Sequence, residues 1–487
     1  MSKFKLLCFL FLLLPIPLLA QQIDMGNPQK IKTKTYYSQI IGEQGGSVYL
    51  LRCKNQLFNS ELTIEKYKSN LALELSVPLP LAVNGLVERV LLFEEQLLVF
   101  ISAKNESTQT IDLLVQRLDL NFKPIQLPKI LCSIPAAKFL AKRTIQIKPN
   151  ANKSLFTVML MSLGESEQAI LHFYQYDMAL NQKFGKQFLL SDTEPNVFIS
   201  AFEVANTGET FALIDYPEKQ KIVKERKYFL YGYFPAADQI LEFNIQAKDT
   251  FVIEDLGICL NNFKQTIAVT GLCAPSTNAG VTGYFFRSYA LANGQLLQSS
   301  SAMFDEKFLK QVAATRIDRF NADLNDFYIR KILPRSDGGC LLLTEKYYQT
   351  RQNYTYYVNN YPQTSSRIIY NFDEIGVMNI QADGSLQFAE LIKKHQSASS
   401  DAGYLLSFLP VVTQDQIYLL FNDEGADKTQ LTLQSISYTG YLDQHILLKN
   451  SNSNCSIIPS EYKQISANTA IICAIRDKRF TLMRITF

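Results

Sequence analysis

Three histidines, His172, His395 and His445, are the side chains in this 487-residue chain best suited to holding a metal or moving a proton near neutral pH. They are far apart, and no two share a metal-ligand spacing. Seven cysteines follow residue 20: Cys53, Cys132, Cys259, Cys273, Cys340, Cys455 and Cys473. None falls in a Cys-x-x-Cys pattern, and an odd number leaves at least one without an internal partner. Cys53, Cys340 and Cys473 sit inside apolar runs (YLLRC, CLLL, AIICAI), which reads as burial of a small apolar side chain. Cys259–Cys273 is the best disulfide candidate. No Gly-x-Ser-x-Gly, His-Glu-x-x-His, phosphate loop or dinucleotide fingerprint is present. No cofactor or metal is expected from these patterns.

Paired carboxylates could cleave a glycosidic bond, and Asp318, Asp323, Asp326, Asp373 and Glu374 are the candidate acids. Nothing in their spacing brings two together. The absence of tryptophan removes the commonest sugar-stacking platform. Two acidic turns, NADLND (321–326) and FNDEGAD (421–427), lack the loop glycine and twelfth-position Glu of a calcium-binding EF-hand and read as ordinary turns. The stretch EKYYQTRQNYTYYVNNYPQTSSR (345–367) is different in kind. Its tyrosines, Tyr347, Tyr348, Tyr354, Tyr356, Tyr357 and Tyr361, offer flat apolar rings with polar tips, suited to a glycan or a protein partner. They are the candidate contact residues; the plainer reading is an aromatic hairpin lying on its own sheet.

What must position these residues is a repeat. Segments such as ELTIEKYKSNLALELSV (61–77), KYFLYGYFPAADQILEFNI (227–245) and YNFDEIGVMNIQADGSLQFAELI (370–392) share one form. Each is an alternating run, a short turn rich in Asn, Asp or Gly, and a second alternating run. Alternation of period two predicts half-buried strands, and the turn residues suit hairpins. One apolar residue before each turn marks the unit: Tyr67, Leu118, Tyr176, Tyr233, Tyr289, Ile380, Ile436 and, at the end, Ile485. The gaps are 51, 58, 57, 56, 91, 56 and 49 residues, so one unit carries an insertion. A second pair of strand-like runs lies between units, as in FISAFEVA and TFALIDY, which gives four strands per period. Four-stranded units of this length are propeller blades.

The expected fold is all-β: a single propeller of eight (alternatively seven) four-stranded blades. The last unit lacks an outer strand, and the segment near 29–36 is expected to supply it and close the ring. The insertion in blade six divides between one short helix near 305–316, with Phe304, Phe308, Leu309 and Val312 on one face, and the Tyr-rich excursion 345–367.

The region GGCLLLTEKYYQ…YNFDEIGVMNIQADGSLQFAELIKKHQSASSDAGYLLSF…IYLLFNDEG, roughly 338–425, resembles uncharacterised secreted proteins of Bacteroidetes-type bacteria. The resemblance implies an exported or envelope location and a propeller-like fold, and it carries no activity.

The opening MSKFKLLCFLFLLLPIPLLAQQ has the basic, apolar and small-residue segments of a signal peptide, expected to span 1–20 and leave 21–487 as one domain. Without Lys3 and Lys5 the 48 basic residues fall to 46, against 45 acidic, so no electrostatic footprint for nucleic acid remains. No later run is apolar enough to span a bilayer as a helix. The reading is an exported, periplasmic or surface protein, a non-catalytic scaffold for an unknown protein or glycan partner. The alternatives are a propeller-type carbohydrate-active hydrolase and an outer-membrane β-barrel. The last is suggested by the terminal Phe487 and opposed by charges such as those of ELTIEKYK on the face a lipid belt would cover.

Overall fold

A computed structural model describes residues 21–487 except the stretches 31–36, 54–60, 139–144, 165–167, 191–196, 217–226, 247–250, 277–278, 316–322, 360, 400–402, 425–428 and 449–454. The expected signal peptide lies outside the described residues. The alternating runs form eight antiparallel sheets in chain order, with four strands in each of the first seven and one further short strand, Gln396–Ala398, added to the sixth. These blades cover 37–78, 86–135, 146–189, 198–245, 252–303, 327–392 and 408–448, and the eighth begins at 455. Eight blades are therefore present, not seven. The sheets are separate and open, which is the arrangement of a propeller and not of one closed barrel.

Blade eight has three C-terminal strands, Cys455–Gln464, Thr469–Arg476 and Arg479–Thr486. Its outer strand is Gln22–Met25, paired from Gln22↔Thr486 to Met25↔Met483. The closing strand thus starts earlier than the sequence suggested. Gln29–Lys30 adds two pairs farther along, to Phe480 and Arg479, and 31–36 lies outside the described residues. The ring is closed by packing as well. Eight apolar clusters fill the eight junctions between neighbouring blades, each drawing on two adjacent sheets. A four-stranded sheet with two apolar faces hides both only by lying between two others.

All eight marker residues lie on the third strand of their blade and are buried. In five blades the fourth residue after the marker has positive φ: Leu71 (60°), Phe122 (68°), Leu180 (67°), Gly384 (80°) and Gly440 (88°). Each donates its N–H to the carbonyl three residues back, as in Leu180 N to Asp177 O at 2.9 Å and Gly384 N to Gln381 O at 2.9 Å. Glycine fits such a position without strain; a leucine or phenylalanine there costs about 1–2 kcal/mol. Leu71, Phe122 and Leu180 are nearly fully buried, and burial of a side chain that size returns about 1.5–3 kcal/mol. Packing outweighs turn chemistry at these three corners.

The first strands carry a second repeated feature. One residue is left out of the pairing at the same place in five blades: Ile41, Glu88, Ser200, Glu254 and Arg330. In blade eight the break widens to the residues between Ile457 and Tyr462. Such bulges bend a strand and re-aim one side chain.

The expected helix is α1, Glu306–Ala314, with Asp305 as N-cap accepting from Phe308 N at 2.7 Å. Phe304, Phe308 and Val312 are buried between blades five and six, and Leu309 is partly buried against them. Lys307 and Gln311 reach Glu390 on the outer strand of blade six, at 3.0 and 3.1 Å. All seven cysteines are buried, and Cys259 and Cys273 are free thiols, so the suggested disulfide between them is not formed. The reason is register: on adjacent strands Cys259 faces Ala268 and Cys273 faces Ile253.

Candidate functional site at the root of the blade-six hairpin

Blade six departs from the others in its second and third strands. Cys340–Val358 and Tyr361–Ile380 run for 19 and 20 residues and pair from Cys340↔Ile380 out to Val358↔Tyr361. Only the root is flanked. Phe327–Pro334 covers 340–346 on one side. Leu386–Ile392 and Gln396–Ala398 cover 375–380 and 370–372 on the other. Beyond that the hairpin is a two-stranded ribbon with both edges free of strand partners among the described residues. The excursion expected as a loop is therefore regular structure, an arm. Its residues favour strands more than their polarity suggests, because Tyr and Thr have high β-propensity.

The six candidate tyrosines divide. Tyr354, Tyr356, Tyr357 and Tyr361 lie on the arm, 45%, 46%, 73% and 72% exposed. Tyr354 and Tyr356 share a face with rings 6.2 Å apart, and Tyr361 joins that face opposite Val358. Tyr357 turns to the other face, opposite Pro362. The arm from 349 to 369 has no acid and two cations, Arg351 and Arg367. Tyr347 and Tyr348 belong to the root. Tyr347 packs edge-on to Tyr328 and against Phe372. The Tyr348 hydroxyl is pushed up to about 12, by burial first and then by Asp373.

Under the arm lies a group of charged side chains that the sequence did not bring together. Glu345 and Lys394 are fully buried. The ammonium of Lys394 spends its three donors on Glu345 Oε1 at 3.0 Å, Phe372 O at 2.8 Å and Gln396 Oε1 at 2.8 Å. Burial lowers its pKa, and the Glu345 charge opposes that shift. Glu345 Oε2 accepts from Arg330 Nε at 2.9 Å and from Ser407 Oγ at 2.7 Å. Arg330 is the bulged residue of its strand, and its guanidinium lies 5.4 Å from the Phe372 ring centre and 5.7 Å from that of Tyr347. Gln396 accepts from Ser407 N at 2.8 Å and donates to Asn422 O on blade seven. Asn422 continues to blade eight, giving Nδ2 to Ile457 O at 2.8 Å and accepting from Ile457 N at 2.9 Å. One polar chain thus ties blades six, seven and eight. The runs EKYY, NFDE, KKHQ and FND each supply a member.

This arrangement positions; it does not react. Lys394 has no free donor, and Glu345 is neutralised from two sides. The candidate acids fare the same way. Asp373 Oδ1 meets His395 Nδ1 at 2.6 Å, and Glu374 Oε2 meets Lys346 Nζ at 3.3 Å. Both lie in the bulge that their strand forms opposite Lys346, and the charges of both act on the Tyr348 hydroxyl. Asp323 is buried, and Asp326 uses its carbonyl to accept from Tyr347 N at 2.8 Å. Asp318 lies outside the described residues, as do parts of both acidic turns. His172 is buried on Ser162 Oγ at 2.8 Å, and burial pushes it down to about 4. His445 pairs with Asp443. Among the described residues no three His, Cys, Asp or Glu side chains gather to hold a metal. Among them also, no helix is long and apolar enough to cross a membrane.

No protein-family model matches the chain, and no curated protein sequence does. Several solved structures are similar in shape at low identity. The polysaccharide lyase Uly1 is 9% identical with a TM-score of 0.38, over 82% of this chain and 89% of that one. The WD40 domain of SCAP from fission yeast is 9% identical with a TM-score of 0.39, over 96% and 98%. The β-propeller domain of the Trilobed protease from Pyrococcus furiosus, described as having an open velcro topology, is 10% identical with a TM-score of 0.36, over 87% and 98%. Likeness at this level carries no functional argument, so the fold rests on the eight sheets themselves.

Proposed function

We propose that this protein is an exported, non-catalytic binding scaffold of the cell envelope, periplasmic or surface-located, and that it meets a protein or glycan partner through the blade-six arm. The observation that carries this is the arm itself. A two-stranded ribbon is marginally stable alone. This one stands on a root held by a buried ionic network and presents four exposed tyrosines. Tyrosine supplies contact area with little rotamer entropy to lose. A free strand edge can also accept an added strand from a partner. The leader-like first twenty residues support export. A hydrolase would need two carboxylates free to act together, and Asp373 and Glu374 are each paired with a basic side chain.

The test replaces residues 349–368 with a tight Asn-Gly turn and compares capture of envelope proteins and of arrayed glycans by the two forms. Capture lost with an unchanged melting temperature supports the reading. Unchanged capture removes the arm from it.

A further inference from the structure

Around the ring, the first strands of adjacent blades come into close contact at seven junctions. Between blades six and seven they make no comparable approach among the described residues. A cavity of about 430 Å³ lies there. Three first strands contribute to it, through Arg330 and Lys331 of blade six, Phe408 and Pro410 of blade seven, and Pro459, Ser460 and Tyr462 of blade eight. Phe372 and the 403–407 connection complete the wall.

The lining has a definite character. Two cations face it and no carboxylate lines it. Arg330 is held by Glu345 through Nε and by the faces of Tyr347 and Phe372, with its side chain one-third exposed. Its geometry is fixed before any ligand arrives, which lowers the entropy lost on binding. Glu345 faces Lys394 as well as Arg330, so the two lining cations, Arg330 and Lys331, are only partly offset. The nearest acid in sequence, Glu461, turns away to accept from Ser38 N at 2.8 Å and Tyr404 Oη at 3.3 Å. Phe372, Phe408, Tyr462 and the two prolines make the remaining wall flat and apolar. Pockets of this size, mostly apolar with a few fixed polar groups, are the usual form of small-molecule sites.

We propose that this cavity binds a small organic anion with a flat apolar body, its charged group against Arg330 and Lys331 and its body against Phe372, Phe408 and Tyr462. This site is separate from the arm's exposed rings and stands or falls independently of them.

The probe is 8-anilinonaphthalene-1-sulfonate, titrated into the full protein at low salt with fluorescence read at saturation. A single saturable site is expected. Lys331→Gln, at an exposed position, should weaken it about two- to fivefold, the range of one exposed charge pair. Ser460→Phe fills the cavity without touching the ionic network and should abolish the site. Both variants are checked for unchanged melting temperature, and a neutral dye is run beside the anion. Loss with both variants, for the anion alone with Lys331→Gln, supports the proposal. Loss with Ser460→Phe but indifference to Lys331→Gln overturns the anionic class. Indifference to both overturns the site.

Discussion

Blades four and six share one frame and fill it differently. In blade four the second and third strands, Thr210–Tyr216 and Lys227–Phe234, stop at 7 and 8 residues, and their buried side chains are almost all apolar. In blade six the same two strands run on into the arm. Where they leave the ring, Thr344, Glu345, Lys346, Asn371 and Asp373 are all buried. An apolar interior is indifferent to small shifts in angle. A network in which each donor has one acceptor fixes an angle, and a projecting arm requires that. A buried ion pair adds little net stability over well-packed hydrophobes, while loss of one partner is severe.

The largest expected effect follows from that asymmetry. Lys394→Met leaves Glu345 buried with only Arg330 and Ser407, and should destabilise the fold by about 3–5 kcal/mol in denaturant melts. Adding Glu345→Gln to it should restore part of the loss; a Lys394→Met variant as stable as the parent would show the network to be ornamental. Leu213→Ala in blade four removes a fully buried side chain and should cost about 3 kcal/mol, with no compensating partner change available.

A pH scan separates the regions further. Burial pushes the Glu461 carboxyl up to about 7, beside Tyr404 and Ser38 at the far end of the same three-blade seam. A carboxyl raised on folding holds its proton more tightly in the native state. Stability is then full below about pH 4.5 and falls as pH rises through about 7, by about 3 kcal/mol at most. Glu461→Gln should flatten that slope, whereas Leu213→Ala should shift the whole curve and leave the slope in place. At the turns, Gly384→Ala in blade six places a Cβ against Ser300 Oγ at a φ of +80°. It should cost about 1–2 kcal/mol. Asp238→Gly in blade four relieves a φ of 49° but removes the acceptor of Tyr233 Oη at 2.9 Å and of Lys186 Nζ at 2.7 Å, and should cost about 1 kcal/mol. The smallest effect belongs to the arm: Tyr357→Ala and Tyr361→Ala should each move stability by less than about 0.5 kcal/mol while reducing partner capture.

The repeat was readable because burial on both faces of every blade imposes it. Tyr67, Leu118 and Ile380 recur at one place since each plugs the same corner of its blade. The helix was readable from Asp305 and the spacing of Phe308 and Val312. The turn conformations were not, because Leu71, Phe122 and Leu180 occupy a position where local propensity asks for glycine and long-range packing overrules it. Nor were the bulges at Glu88 and Arg330, which come from the twist of an inner strand and carry no residue signature. Glu345, Lys394, Gln396 and Asn422 looked like polar positions of separate strands. Only the closing of one blade on the next shows that they face each other, and a period-two pattern cannot distinguish a polar side facing water from one facing a neighbouring polar side.

Gln22–Met25 and Arg479–Thr486 lie side by side although more than 450 residues separate them. During synthesis the first of these segments emerges long before its partner exists, and seven sheets can assemble in the interval. The final step is a loop closure across nearly the whole polypeptide, which makes ring completion the slow event in folding and leaves the three-stranded eighth sheet with an open edge until then. A circular permutant that joins the two ends and opens the chain at the 79–85 connection between blades one and two should fold faster, because every sheet would then be built from strands close in sequence.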